Sequence, residues 1–234
     1  MNVRKFVQGV VIFIILGAST AVLHAQTFRV FAMGTGSMLF DKRYYNVYGA
    51  ALGSTYNIGD GYTVGGEYHL WKNLGVEGSY THVLNTLVVT DFYNAAVPNN
   101  KTGYDIANQR VSLDAIAYSP RSLKGVRPYI SAGVEFDRFV PTSQAVTTAK
   151  GSFNGVPNTV LSPDSKFGFN FGGGVEIKLV SMVAVRVDLR DHITGSPTFG
   201  LPAQATTAFT SYYPISGSAS HVEASAGFVF QFGK

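Results

Sequence analysis

Five histidines, His24, His69, His82, His192 and His221, are the side chains best suited to proton transfer or metal ligation in a chain without cysteine. Lack of cysteine removes thiolate ligands, thiol nucleophiles and disulfides together. A metal site built on one element needs ligands on one face, as in His-x3-His, and no two of these histidines have that spacing. His24 lies in the leader described below, and the others fall on different strands. Asp191, His192 and Ser196 form the one local group resembling a hydroxyl nucleophile, a base and an orienting carboxylate. Beside a polar loop at a strand end, His192 reads as a solvated rim residue, and no catalytic, cofactor or metal site is expected. Gly34-x-Gly36 and Gly172-Gly173-Gly174 have the composition of phosphate loops, but neither leads into a helix signal or a Lys-Ser/Thr pair. They read as strand glycines that permit curvature and close packing. Asp60-Gly61 and Asn154-Gly155 are turn pairs.

What remains is electrostatic chemistry, and the elements that would position it follow from composition. Charged residues make up 14% of the 234-residue chain and aromatics 13%, with 26 glycines. Low charge with abundant Gly, Tyr and Phe points to strands and turns within one domain. The formal net charge of +4 falls to +2 when Arg4 and Lys5 leave with the leader, and no basic cluster remains for nucleic acid. That leader, residues 1–25, has Arg4 and Lys5 as its positive start and an apolar stretch over 6–18. The stretch is too short for a stop-transfer helix and reads as a cleavable signal peptide. Ala25 is the preferred cleavage point and Ala21 the alternative. Residues 26–234 are then the mature domain.

After Gln26 the pattern changes to period 2. Val183, Val185, Val187 and Leu189 take one face of a strand over 183–190, and Ala184, Arg186, Asp188 and Arg190 take the other. In 166–180, Phe167, Phe169, Phe171, Val175, Ile177 and Leu179 oppose Gly168, Asn170, Gly172, Gly174, Glu176 and Lys178. A tight link at Ser181-Met182 makes these two a hairpin. Segments 62–70 and 74–84 form a second hairpin, and 110–118 and 126–139 a third. The first strand, 28–40, is the least regular, because Arg29 shares a face with Phe31 and Met33, and 222–232 is the last. Eight strands result. The links 41–61, 91–105, 141–165 and 194–220 are long and polar and alternate with short ones. Four such links would be anomalous in a soluble domain. They are expected of an eight-stranded antiparallel up-and-down transmembrane β-barrel with short periplasmic turns and long extracellular loops.

Strands spanning hydrocarbon must close, since an open edge leaves N–H and C=O groups unpaired. Eight strands enclose an interior just wide enough for side chains. If the aliphatic face of 183–190 pointed inward, Arg186 and Asp188 would meet lipid, at roughly 2–4 kcal/mol for an arginine near the midplane. Turned inward, the charges can pair, and Glu176 and Lys178 are expected near Arg186 and Asp188. Glu67, Glu77, Arg110, Asp114, Glu135, Asp137 and Glu223 share the matching faces of their strands, which defines a lumen charge network of mixed sign. Such pairs add little net stability, because desolvation offsets most of their attraction. Tyr68, Trp71 and Tyr118 lie near short turns and are assigned to the membrane interface. Tyr44, Tyr45, Phe92, Tyr93, Phe139, Tyr212 and Tyr213 lie near long loops and take the same assignment.

The segments Gly172-Gly173-Gly174-Val175-Glu176-Ile177-Lys178 and Val183-Ala184-Val185-Arg186-Val187-Asp188-Leu189-Arg190-Asp191 resemble the small outer-membrane β-barrel family typified by the OmpA transmembrane domain. Val64-Gly65-Gly66-Glu67-Tyr68 and the ending Ala226-Gly227-Phe228-Val229-Phe230-Gln231-Phe232 are similar to it too. The resemblance runs from Thr27 to Lys234 and implies a stand-alone barrel of a Gram-negative cell envelope, without a peptidoglycan-binding domain. It implies that Phe228, Phe230 and Phe232 are read by the barrel-insertion machinery, although the family commonly ends on the aromatic and here Gly233 and Lys234 follow. The function expected is non-enzymatic: a structural or surface-recognition role through four external loops, in outer-membrane lipid and lipopolysaccharide. A small-solute channel and a soluble periplasmic lipocalin-like carrier are the alternatives.

Overall fold

The computed structural model describes residues 28–39, 42–45, 51–90, 101–120, 125–153, 156–204, 211–213, 215 and 217–232. The signal segment, Phe92, Tyr93, Gly233 and Lys234 lie outside the described residues. The elements run β1 (Phe28–Leu39), β2 (Lys42–Tyr45), β3 (Ala51–Tyr56), β4 (Gly59–Trp71), β5 (Leu74–Thr90), β6 (Lys101–Tyr118) and β7 (Val126–Pro141). Helix α1 (Ser143–Gly151), β8 (Asp164–Lys178), β9 (Val183–Gly195) and β10 (Ser218–Phe232) follow.

Eight of the strands close into a ring of antiparallel neighbours: β1, β4, β5, β6, β7, β8, β9 and β10, with β10 returning to β1. The closing seam is long and regular, from Phe28↔Phe232 to Leu39↔His221. Closure satisfies the ladder on both sides of every wall strand, as hydrocarbon requires. Among the described residues no helix is long and apolar enough to cross a membrane. The outer face is the apolar one: Leu113, Ile130, Phe136, Phe167, Phe169, Phe171, Leu189 and Phe228 are all more than half exposed. A continuous girdle of large exposed apolar side chains is the surface a bilayer covers.

The long links carry more structure than their composition suggests. β6 has 18 residues and β5 has 17, against the 9–11 that a tilted strand needs to cross. The pair continues without interruption to Thr90↔Lys101, so this hairpin stands well clear of the bilayer. β3 pairs with its outer part at Ser54↔Val89 through Tyr56↔Leu87, and β2 pairs with β3. Over 142–151 the chain turns helical instead, with the Thr142 side chain accepting from the Ala145 N–H at 3.2 Å as the N-cap. Ala145 and Ala149 then face a compact apolar cluster with Leu87, Tyr104, Ile106, Phe139, Phe153, Leu161, Phe199, Tyr213 and Ile215. This cluster packs on the inward faces of β5, β6 and β7 at the long-loop end. Phe139 and Tyr213 belong to it, at 1% and 0% exposure, rather than to a lipid interface.

Candidate functional site: the charged lumen

Inward positions alternate along every wall strand and, among the described residues, bring twelve charged side chains inside, each residue at most 9% exposed. Eight are carboxylates (Glu67, Glu77, Asp114, Glu135, Asp137, Glu176, Asp188, Glu223) and four are arginines (Arg29, Arg110, Arg186, Arg190). The space for them comes partly from inward glycines. A Cβ on Gly174 would lie 2.6 Å from the Tyr129 hydroxyl oxygen, and one on Gly133 would lie 2.1 Å from Asp114 Oδ1.

Three tiers follow one another along the axis. At the short-turn end, Arg29 donates to Tyr118 Oη at 2.8 Å, Glu67 at 3.3 Å and Glu176 at 2.5 Å. Arg127 stacks on the Tyr118 ring from the mouth, 4.1 Å from its centroid. In the middle tier Arg186 donates to Tyr129 Oη and Glu77, both at 2.6 Å, and to Asp188 at 3.2 Å. Arg190 donates to Glu77 at 2.7 Å, Asp114 at 2.6 Å and Asp188 at 3.0 Å. Forked guanidinium–carboxylate contacts of this kind fix orientation as well as charge. In the upper tier Arg110 lies between Glu223, Glu135, Asp137 and the stacked rings of His192 and His221. Across from it runs a hydroxyl ladder, Thr81–Thr63–Thr35–Ser225, with contacts of 2.7 to 2.9 Å.

Several expected positions require correction. Tyr118 is not an interface aromatic: it is 4% exposed and its hydroxyl oxygen lies 2.7 Å from Glu67 Oε2. It shares strand parity with Arg110 and Asp114, and that spacing could have revealed it. Its cross-strand partner Tyr129 is equally internal and was missed. Tyr68 and Trp71 do sit on the outer surface by the short turns, Trp71 being 66% exposed. The pairing around Arg186 also differs. Glu176 is its cross-strand neighbour but engages Arg29, while Arg186 engages Glu77 from across the lumen. Lys178 is exposed at the short-turn mouth and, among the described residues, makes no ion pair. Arg29, whose apolar companions Phe31 and Met33 made β1 look irregular, points inward with both of them. Arg186 lies 5.0 Å over the Phe31 ring, so those aromatics pack beneath a guanidinium.

His192 is not a solvated rim group, being 3% exposed within the lumen. Asp191 is on the opposite face of β9, where it accepts from Ser220 Oγ at 2.7 Å, so no Asp191–His192–Ser196 constellation assembles. His221 lies directly across the β9–β10 ladder from His192. A long loop joins those strands, so no turn chemistry announces the register. The outward residues Phe228, Phe230 and Phe232 are 51%, 42% and 47% exposed on the lipid face of β10.

A central cavity of about 20 Å³ between the middle and upper tiers has room for about one water-sized sphere. A wider vestibule of about 340 Å³ opens at the short-turn mouth, walled off from the centre by Arg29 and Glu176.

Comparison with known proteins agrees with this architecture. The model of the outer membrane protein beta-barrel domain family matches residues 11–228. The crystal structure of the outer membrane protein OprG from Pseudomonas aeruginosa superposes with a TM-score of 0.60 at 14% identity, over 90% of this chain and 97% of that one. Neisserial surface protein A superposes with a TM-score of 0.51 at 14% identity, over 89% and 98% respectively. No curated protein matches by sequence. With its closed eight-stranded wall, apolar girdle and family match over most of its length, the chain belongs to the outer membrane β-barrel family and is an outer-membrane protein.

Proposed function

We propose that this protein is a non-enzymatic, non-conducting barrel that anchors a folded loop platform for a structural or surface-recognition role. The observation that carries this reading is the double obstruction of the lumen. Interlocked charge tiers leave a cavity of about 20 Å³ between them, and the loop cluster fills the inward side of β5, β6 and β7 at the long-loop end. A channel needs a continuous water path, and the interlocked charges of the described tiers argue against one. The loop cluster supports the second half of the proposal, because α1, Phe153, Phe199 and Tyr213 build a packed core on the outer ends of β5, β6 and β7. In barrels of this kind the long-loop end faces outward, where lipopolysaccharide or another surface is the partner. Assembly through the barrel-insertion machinery, with Phe228, Phe230 and Phe232 as its signal, is part of the same proposal.

The test is single-channel recording on protein refolded into planar bilayers. No steady conductance is expected from the parent protein. Reproducible channels of uniform size, altered by Arg186→Ala, would overturn the proposal in favour of a small-solute pore.

A further inference from the structure

We propose that the upper tier is a binding site for one divalent transition-metal ion of the zinc type, ligated by His192, His221 and Glu223. Their ligand atoms lie within 4.8 Å of one another and all three residues are buried. His192 Nε2 is 3.6 Å and His221 Nε2 3.8 Å from Glu223 oxygens, and the two rings stack with centroids 4.8 Å apart. Ligand bonds of roughly 2.0–2.2 Å put ligand atoms about 3.3–3.5 Å apart, so binding closes the widest pair by about an ångström or more and turns the stacked rings until both lone pairs meet.

Two further observations point to a cation. His192 Nδ1 is 2.6 Å from Glu135 Oε2, an arrangement that places the ring proton on Nδ1 and leaves Nε2 as a bare lone pair. A carboxylate behind the imidazole is the usual support of a metal-bound histidine. His192 Nε2 and Glu223 Oε1 are both buried and without a hydrogen bond, and both are aimed into the group. The central cavity, lined by His192, Glu223 and Arg110 but not by His221, adjoins the group and gives these side chains room to rearrange.

Arg110 is the competitor. Its guanidinium donates to His221 Nε2 at 2.8 Å and to Glu223, so it holds the position an ion would take. Asp137 offers it an alternative seat. Asp137 faces Arg110 directly across β6–β7, lies 3.8 Å from it, and has both buried oxygens free of hydrogen bonds. With three carboxylates (Glu135, Asp137, Glu223) around one arginine, the tier can accommodate Arg110 on Asp137 and a divalent ion on Glu223 at once. Imidazole ligands favour zinc, copper or nickel over magnesium and calcium.

The experiment refolds untagged protein in detergent with zinc chloride, removes free metal, and measures bound zinc by mass spectrometry alongside gel heat-modifiability. One zinc per folded chain is expected, and calcium in its place should not bind. Glu135→Gln should weaken zinc about 10–100-fold, His192→Gln and His221→Gln should abolish stoichiometric binding, and His69→Gln should leave it unchanged. Arg110→Gln should bind zinc more tightly than the parent. Folded parent protein without bound zinc would overturn the proposal, as would zinc retained equally by His192→Gln. If the histidine variants fail to fold, the opposite shifts expected from Glu135→Gln and Arg110→Gln still decide the matter, and equal affinity in both would sink it.

Discussion

Adjacent side chains on β9 meet opposite solvents, and that contrast defines what single substitutions should do. Val187 is 46% exposed toward the bilayer, while Arg186 is fully buried among Glu77, Asp188 and Tyr129. Val187→Arg should cost roughly 2–4 kcal/mol near the midplane, measured by urea unfolding in lipid vesicles. Arg186→Leu removes one partner of a buried network and should cost about 3–5 kcal/mol, because Glu77 and Asp188 are left with one arginine between them. The two variants should separate by environment, the first folding far better in micelles than in bilayers and the second equally impaired in both. A neutral Val187→Arg in bilayers would contradict the facing of the strand. Outside the membrane, Asp164 gives a titration of defined sign. Partial burial opposes its ionisation, but the Thr198 N–H at 2.7 Å, the Thr198 hydroxyl and Lys166 outweigh it and hold the carboxyl below its ordinary range. Its contribution to loop order is therefore complete above the unfolded pKa of about 3.9 and lost as pH falls through the lower folded value. The Thr198 amide resonance should titrate with a midpoint below 3.9, and Asp164→Asn should flatten the curve.

At the level of elements, the wall strands and the loop platform have different sources of stability. Each wall strand is locked by two ladders, whereas α1 is a nine-residue helix that depends on its cap and on two buried alanines. Isolated helices of that length are marginal in water, so packing decides whether this one persists. Thr142→Ala should cost about 1 kcal/mol and act on the platform alone. Limited proteolysis should show faster cleavage within 142–162, with unchanged heat-modifiability of the barrel. A barrel that unfolds with the helix would show instead that cap and wall form one cooperative unit.

For the whole molecule, closure is the dominant fact. The seam between β1 and β10 joins residues about 190 positions apart, so the ring forms only when both ends of the domain have been brought together. Non-local pairing of this kind makes folding slow, and a closed barrel with no free edge is correspondingly hard to open. Unboiled protein should therefore migrate differently from boiled protein on gels and resist extraction from outer membranes at alkaline pH. Release into the soluble fraction without detergent would be incompatible with the exposed Phe167, Phe169 and Phe171 meeting lipid.

Period-2 alternation and the long–short rhythm of the links determined the strand count, the facing of most strands and the barrel itself, because both are local properties of the chain. Parity alone placed Glu67, Glu77, Arg110, Asp114, Glu135, Glu176, Arg186, Asp188 and Glu223 on inward faces. It could not say which arginine meets which carboxylate, since partners such as Arg186 and Glu77 meet across the lumen from strands 109 residues apart. Polarity misled where a side chain has two natures. Tyr118 and Tyr129 carry the rings expected at a bilayer interface, yet their hydroxyls are used inside, and Phe31 and Met33 are apolar but lie inward beneath Arg186. The pairing of His192 with His221 was hidden for a geometric reason. Register across β9 and β10 is set by closure of the ring and not by the long loop between them, so only the tertiary structure could bring the two imidazoles to one site.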